Sequence, residues 1–207
     1  MYIPKQFAVT DRHQLIQFIK ENGFGILFSS KNGRSIATHL PFIIHENQGE
    51  HGILVGHMAL GNPHWKEINS EVLVVFPGPH SYISPTWYAE EKTVPTWNYI
   101  AVHVYGEFQL IEDHKELEEI LADSISTYEA HFEHAWQTDL SAEYNQRELK
   151  GIKGFKIIIK EMQGKWKLNQ HHPIERQKRT AEQLQKAEIY DAKKIGQLME
   201  ENIKHHS

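Results

Sequence analysis

The sequence predicts a mainly β fold with flanking helices: a small closed or half-open barrel of six or so mostly antiparallel strands, followed by a C-terminal helix. Three observations carry that expectation. Short β-rich runs follow one another with tight-turn signals between them, no β-α-β alternation occurs, and only two short helical stretches interrupt the strands. The 207 residues suffice for one good core. No linker divides them into equal halves, so the reading is one domain over 1–170 with a helical extension over 171–207.

Composition narrows the function classes. A net charge of −5 and a pI near 6.3 provide no general attraction to a phosphate backbone, so nucleic-acid binding would need a local patch. With no cysteine there can be no disulfide, thiolate metal site or Cys nucleophile. The first residues, MYIPKQFAVT, lack an apolar stretch of signal-peptide length, and no run reaches membrane-span length; a cytoplasmic protein is the expectation.

Taken in order, Thr10 followed by Asp11 supplies an N-cap and a first-turn carboxylate, and Leu15, Ile16 and Ile19 share one helical face before Asn22-Gly23 ends the helix. In GFGILFSSKNGRSIATHLPFIIHE, Asn32-Gly33 lies between two β-rich runs and calls for a type I′ hairpin. A third strand covers 51–58. In ALGNPHWKEI, Asn62 caps and Pro63 takes the first helical position of a helix that then proceeds. VLVVF reads as a strand buried on both faces, and 99–110 as the next strand. Between them lies a loop whose Tyr82, Trp87, Tyr88, Trp97 and Tyr99 are too many amphipathic rings for an ordinary solvent-exposed connection. Asp113, with Glu116 in capping-box position, starts a helix whose apolar positions are Leu117, Ile120, Leu121, Ile125 and Tyr128. GFKIIIKEMQGKWKL reads as a sixth strand with a turn at Gln163-Gly164. A single helix over 174–204 closes the chain, with Leu184, Ala187, Ile195, Leu198 and Met199 as its apolar positions.

The chemistry on offer is that of a binding site rather than of a hydrolase. Backbone N–H groups at the start of the Pro63 helix, joined by His57, Asn62, His64 and Lys66, form a phosphate seat that would require a cation such as Lys66 or Arg34 for tight binding. Solvated lysine beside an Asn-Pro helix start is the simpler reading of the same residues. The 15 histidines show no HExxH and no metal-ligand spacing, so no metal site is expected. No G-x-S-x-G elbow, dinucleotide fingerprint or Walker loop is present, and no catalytic residue is assigned.

THLPF (38–42), GHMALGNPHWK (56–66), FPGPHSYISPTWY (76–88) and VPTWNYIAVHVYGE (94–107) together resemble the PaiB family, over roughly residues 1–170. That resemblance implies an FMN-binding split β-barrel, related distantly to pyridoxamine-phosphate oxidases and flavin reductases. It also implies a homodimer with FMN at the subunit interface and a role as negative regulator of protease synthesis and sporulation. It would place Thr38, His39 and Leu40 along the flavin edge and His57, Asn62, His64 and Lys66 near the ribityl phosphate. Tyr82, Ser84, Trp87, Trp97 and Asn98 would enclose the ring, from either subunit. Where family members carry K-L-S-Q-N, this chain reads Lys167-Leu168-Asn169-Gln170-His171, so an amide replaces a hydroxyl.

Three functions fit these features. The first is a transcriptional regulator acting through bound flavin, with DNA or a protein as partner. An FMN-dependent oxidoreductase on a small molecule is the second, and a haem-binding split barrel using His39 or His103 is a lesser third. Direct DNA contact has weak support: the tail over 174–204 holds seven Lys/Arg against six Asp/Glu, too small an excess for many phosphate contacts.

Overall fold

The structure, a computed structural model, describes residues 1–68 and 71–205. Eight strands form one mainly antiparallel sheet: β1 (Ala8–Val9), β2 (Phe24–Lys31), β3 (Arg34–Pro41), β4 (Ile43–His45), β5 (Ile53–Ala59), β6 (Glu71–Ile83), β7 (Thr96–Leu110) and β8 (Ile152–Lys167). Their order is β3-β2-β6-β7-β8-β5-β4, with β1 added to β8. Five helices accompany them: α1 (Arg12–Glu21), α2 (His114–Glu129), α3 (Glu143–Leu149), α4 (Ile174–Lys186) and α5 (Ala192–His205).

Contacts divide the chain into two compact units, and β6, β7 and β8 each run through both. The larger unit is 16–76 with 103–162. Its hairpin β2-β3 turns at Asn32 and Gly33, at φ 52° and 78°, the paired positive values of the expected turn. Beneath α2 and α3, Ile53, Val55, Ile111, Leu117, Ile120 and Leu149 form one apolar cluster. Burying each such side chain is worth about 1.5–3 kcal/mol, which is what holds short helices on a sheet. Asp113 caps α2 as expected, its Oδ1 accepting from the Glu116 N–H at 2.8 Å. The Glu116 carboxylate turns instead to Lys156, at 3.0 Å.

The smaller unit joins Met1–Leu15, Pro77–Val102 and the described residues from Gln163 on. Its core gathers Ile83, Tyr88, Ile100, Leu168, Leu184, Ile195 and Met199, all buried.

Several expectations are corrected. Asp11, not Thr10, caps the first helix, accepting from the Gln14 N–H at 2.7 Å. The Pro63 helix is a single 3-10 turn, Pro63–Lys66. VLVVF is buried on alternate residues, not on both faces, because β6 faces the core on one side only. That strand continues to Ile83 through Pro77 and Pro79 and β7 begins at Thr96, so the aromatic loop shrinks to 84–95, and Tyr82 and Trp97 join Tyr99 in strands. No turn interrupts β8 at Gln163-Gly164, where Gly164 pairs with Val9. The tail is two helices rather than one, with Tyr190 at φ 48° reversing the chain between them. A short strand, β4, and helix α3 went unexpected.

Candidate functional site

The twelve expected site residues fall seven on the larger unit and five on the smaller. On the larger, β3 positions Thr38, His39 and Leu40. Consecutive strand residues face opposite sides, so the three cannot all present side chains to one ligand. Leu40 is buried in the core, while His39 is exposed and its ring stacks on Phe24, at 6.3 Å and 28°. Only the β3 backbone could run along a flavin edge at all three positions.

Thr38 meets the 3-10 turn. Its Oγ1 lies 2.7 Å from His64 Nδ1, and Ser29 Oγ lies 2.8 Å from His64 Nε2. Both ring nitrogens are therefore engaged, the imidazole is 1% exposed, and burial lowers its pKa against a smaller upward pull from Glu67. Asn62 completes the group, its Oδ1 accepting from the His64 N–H at 3.0 Å and its Nδ2 lying 3.5 Å from Thr38 Oγ1. At the expected phosphate seat these bonds already engage His64 and Asn62. One 3-10 turn has no row of free N–H groups, Asn62 occupies the His64 N–H, and His64 is a brace between β2 and β3 rather than an anion ligand.

The cations are disposed differently from each other. Lys66 is exposed, its Nζ 5.0 Å from the centroid of Trp65. Arg34 opens β3 and, with Ser35, Ile36, Ala37 and Glu67, lines a groove of about 380 Å³. Glu67 itself pairs with Lys31 at 3.4 Å. His57, on β5, is half-buried, and burial lowers its pKa. It lines a separate groove with Phe24, Pro41, Leu121, Ile125, Tyr128 and Trp136, so the structure does not bring it to His64 and Arg34.

On the smaller unit, Tyr82 and Trp97 do meet, ring centroids 5.8 Å apart. Two residues outside the expected set join them: Tyr190 packs edge-on at 4.9 Å from Trp97, and His80 lies 6.1 Å from Trp97 and 6.2 Å from Tyr190. Asp191 secures the group, accepting from the His80 N–H at 3.0 Å while its own N–H donates to the His80 carbonyl at 3.1 Å. Trp97 is 41% exposed and Tyr190 66%, an aromatic patch open to a ligand or partner. Asn98 is turned away from it, fully buried with Nδ2 3.4 Å from Met199 Sδ, because its strand neighbour Trp97 takes the outer face. Ser84 caps the 3-10 turn Pro85–Tyr88, accepting from the Thr86 N–H at 3.3 Å, and Trp87 lies half-buried within that turn. No sequence signal announces Tyr190 or Asp191, which lie far along the chain in what reads as an unbroken helix.

Sheet order and flanking helices define a protein of the split-barrel class. The same fold occurs in the flavocytochrome Anf3 from Azotobacter vinelandii, with TM-score 0.57 and 12% identity over 80% of this chain and 72% of that one. It occurs again in the FAD and heme binding protein from Mycobacterium smegmatis, with TM-score 0.55 and 15% identity over 77% and 73%. Residues 1–161 match the family model described as "Putative FMN-binding domain". The protein of Bacillus subtilis called "Protease synthase and sporulation protein PAI 2" is 42% identical over 207 residues, 99% of each chain. This chain belongs to the PaiB family and carries its FMN-binding domain.

The larger unit has residues suited to FMN. A flat ring with a polar edge requires backbone donors and acceptors along a strand, and β3 ends the hydrogen-bonded strand order, paired by hydrogen bonds to β2. An exposed stacked pair, Phe24 and His39, has apolar faces for an aromatic ligand. Arg34 is a planar cation suited to a phosphate.

Proposed function

We propose that the protein is a flavin-dependent regulator of the PaiB type, binding FMN along β3 with Arg34 at the phosphate, and that it controls protease production and sporulation as a cytoplasmic homodimer. One observation carries this reading: the His64 brace fixes β3 through Thr38 and leaves Arg34, at the start of the same strand, in an open groove. Bound FMN would supply hydride or electron chemistry, whose redox state is a signal a regulator can read. The chain's own part is to hold the strand rigid and match the phosphate charge. Tyr82, Ser84, Trp87 and Trp97 keep their place in the proposal as ring contacts supplied by the second subunit, and the exposed Trp97-Tyr190 patch supports a subunit interface. The regulatory output passes through a protein partner, since the near-neutral tail is poorly suited to a phosphate backbone.

The test is fluorescence titration of the flavin-free protein with FMN and with riboflavin. FMN binds more tightly, and Arg34→Ala weakens it by about 1.5–3 kcal/mol, the range of hydrogen bonds to charged groups, while riboflavin is unaffected. Lys66→Ala has the smaller effect, and Trp97→Ala weakens both ligands alike. Equal affinity of the unmutated protein for FMN and riboflavin would overturn the phosphate assignment. Light scattering at micromolar protein decides the dimer, and nanomolar sequence-selective DNA binding at physiological salt would replace the protein partner with a promoter.

A further inference from the structure

A second concentration of charge lies in the smaller unit, around the segment Lys167-Leu168-Asn169-Gln170-His171 and helix α4. Lys165 is almost buried, its Nζ donating to the Tyr2 carbonyl at 3.1 Å and lying 5.0 Å from the Tyr99 centroid. Lys167 donates to the neutral Thr96 hydroxyl. The Arg176 guanidinium sits 3.8 Å over the Tyr88 ring, and Glu90 is shared between Arg176 at 3.5 Å and Arg179 at 3.0 Å. The rings of His171 and His172 are 3.7 Å apart.

Arg176 and Arg179 thus share one carboxylate, Glu90, while Lys165 and Lys167 donate to neutral oxygens. Aromatic faces offset part of that cost, but buried charge is ordinarily paired. Hydrogen bonding is unbalanced in the same place. Arg176 Nε, Arg179 Nε and both amide atoms of Asn169 are buried without a partner in the chain, and Asn169 is 0% exposed. Asn169 is also the residue by which this chain departs from the family's K-L-S-Q-N, and it holds a left-handed conformation at φ 63°. Three buried donors without acceptors, Arg176 Nε, Arg179 Nε and Asn169 Nδ2, beside two arginines that share one carboxylate call for a ligand rich in acceptors and carrying more than one negative charge.

We propose that Lys167, Asn169, His172 and Arg176 form a binding site for a phosphate monoester, separate from the FMN seat at Arg34. A monoester carries close to two negative charges at neutral pH and three acceptor oxygens, where a carboxylate has one charge and two oxygens. The imidazoles agree with an anion-poor pocket: burial first, then the neighbouring cationic groups, hold His171 below its ordinary range and His172 down to about 4. Glu90 pulls His172 the other way, and more weakly. A dianion beside the pair would draw both upward.

The experiment follows the His171 and His172 ring signals of the full chain by NMR. Inorganic phosphate is titrated against sodium chloride and acetate at matched ionic strength. Phosphate should give saturable shifts of both rings and raise the His172 titration midpoint, and chloride and acetate should not. Lys167→Gln should weaken phosphate about tenfold, the usual loss for one charge-assisted hydrogen bond. Should that variant fail to fold, the comparison of anions on the unmutated chain decides alone. Arg34→Ala should leave the phosphate response intact, so the two sites fail independently. Absence of saturation, equal response to acetate, or loss of the phosphate response in Arg34→Ala would overturn the assignment.

Discussion

At position 64 the imidazole has no spare nitrogen. Ser29 and Thr38 hold its two sides and Asn62 its backbone, so a residue that reads in the sequence as a phosphate ligand is a cross-brace between adjacent strands. His64→Ala would open a cavity and leave one buried and one half-buried hydroxyl without their partner. The expected loss is about 2–4 kcal/mol of stability by urea unfolding, combining the lost volume with the unmade hydrogen bonds. His64→Gln, which can keep one of the bonds, should lose less. A His64→Ala loss under about 1 kcal/mol would mean that water replaces the imidazole at both hydroxyls. Residue-scale reading places neighbouring strand positions beside one ligand without saying which of them presents a side chain. Thr38, His39 and Leu40 alternate in direction, as do Trp97 and Asn98, and the motif's order in the sequence does not say which face is which.

Among the elements, the legible ones are those whose signal is a local conformational demand. Asn32-Gly33 needs two positive φ values and supplies residues that accept them, and Asp113 caps α2 as its spacing to Glu116 predicts. Asp113→Ala should therefore cost about 1 kcal/mol, seen as a lower urea midpoint with an unchanged slope. What the sequence could not show was element length. Asn62-Pro63 marks a start, but nothing in it says that the helix stops after one turn. Pro77 and Pro79 read as loop residues, yet proline is tolerated in a strand wherever its missing N–H is not needed by the ladder. The tail's apolar periodicity runs on through Glu188-Ile189-Tyr190-Asp191, which contains neither Gly nor Pro, so the break between α4 and α5 leaves no local mark. Close approach between strands is equally invisible. A Cβ at Gly106 of β7 would lie 2.4 Å from the Ile158 carbonyl oxygen and 2.6 Å from Ile157 Cγ2. Backbone cannot yield as a side-chain tip does, so Gly106→Ala should destabilise by at least about 1–3 kcal/mol, the usual range for overpacking. Unchanged stability there would show that β8 can shift away from β7.

Across the whole molecule, five imidazoles share one direction. His57, His64, His103, His171 and His172 are all held below their ordinary value of 6.5, with burial the largest cause in each. In the unfolded chain they return to that value and take up protons that the folded chain refuses. Stability is therefore complete above the ordinary imidazole range and falls as pH drops below it, until the folded groups themselves protonate. His172 extends the window to about 4. Net charge acts in the same sense once pH falls below the pI near 6.3, because protonation of the 15 histidines carries the chain from −5 through neutrality to a net positive charge, so a variant at one buried imidazole is needed to isolate the burial effect. The urea midpoint should consequently be lower at about pH 5 than at about pH 7.5, on either side of the reference imidazole value, with the slope unchanged. His172→Gln should flatten that dependence, since a neutral amide takes up no proton in either state. A midpoint that stays level across this interval would show that the buried imidazoles find water or carboxylate partners when protonated, and that the pocket at His171 and His172 is not short of anions.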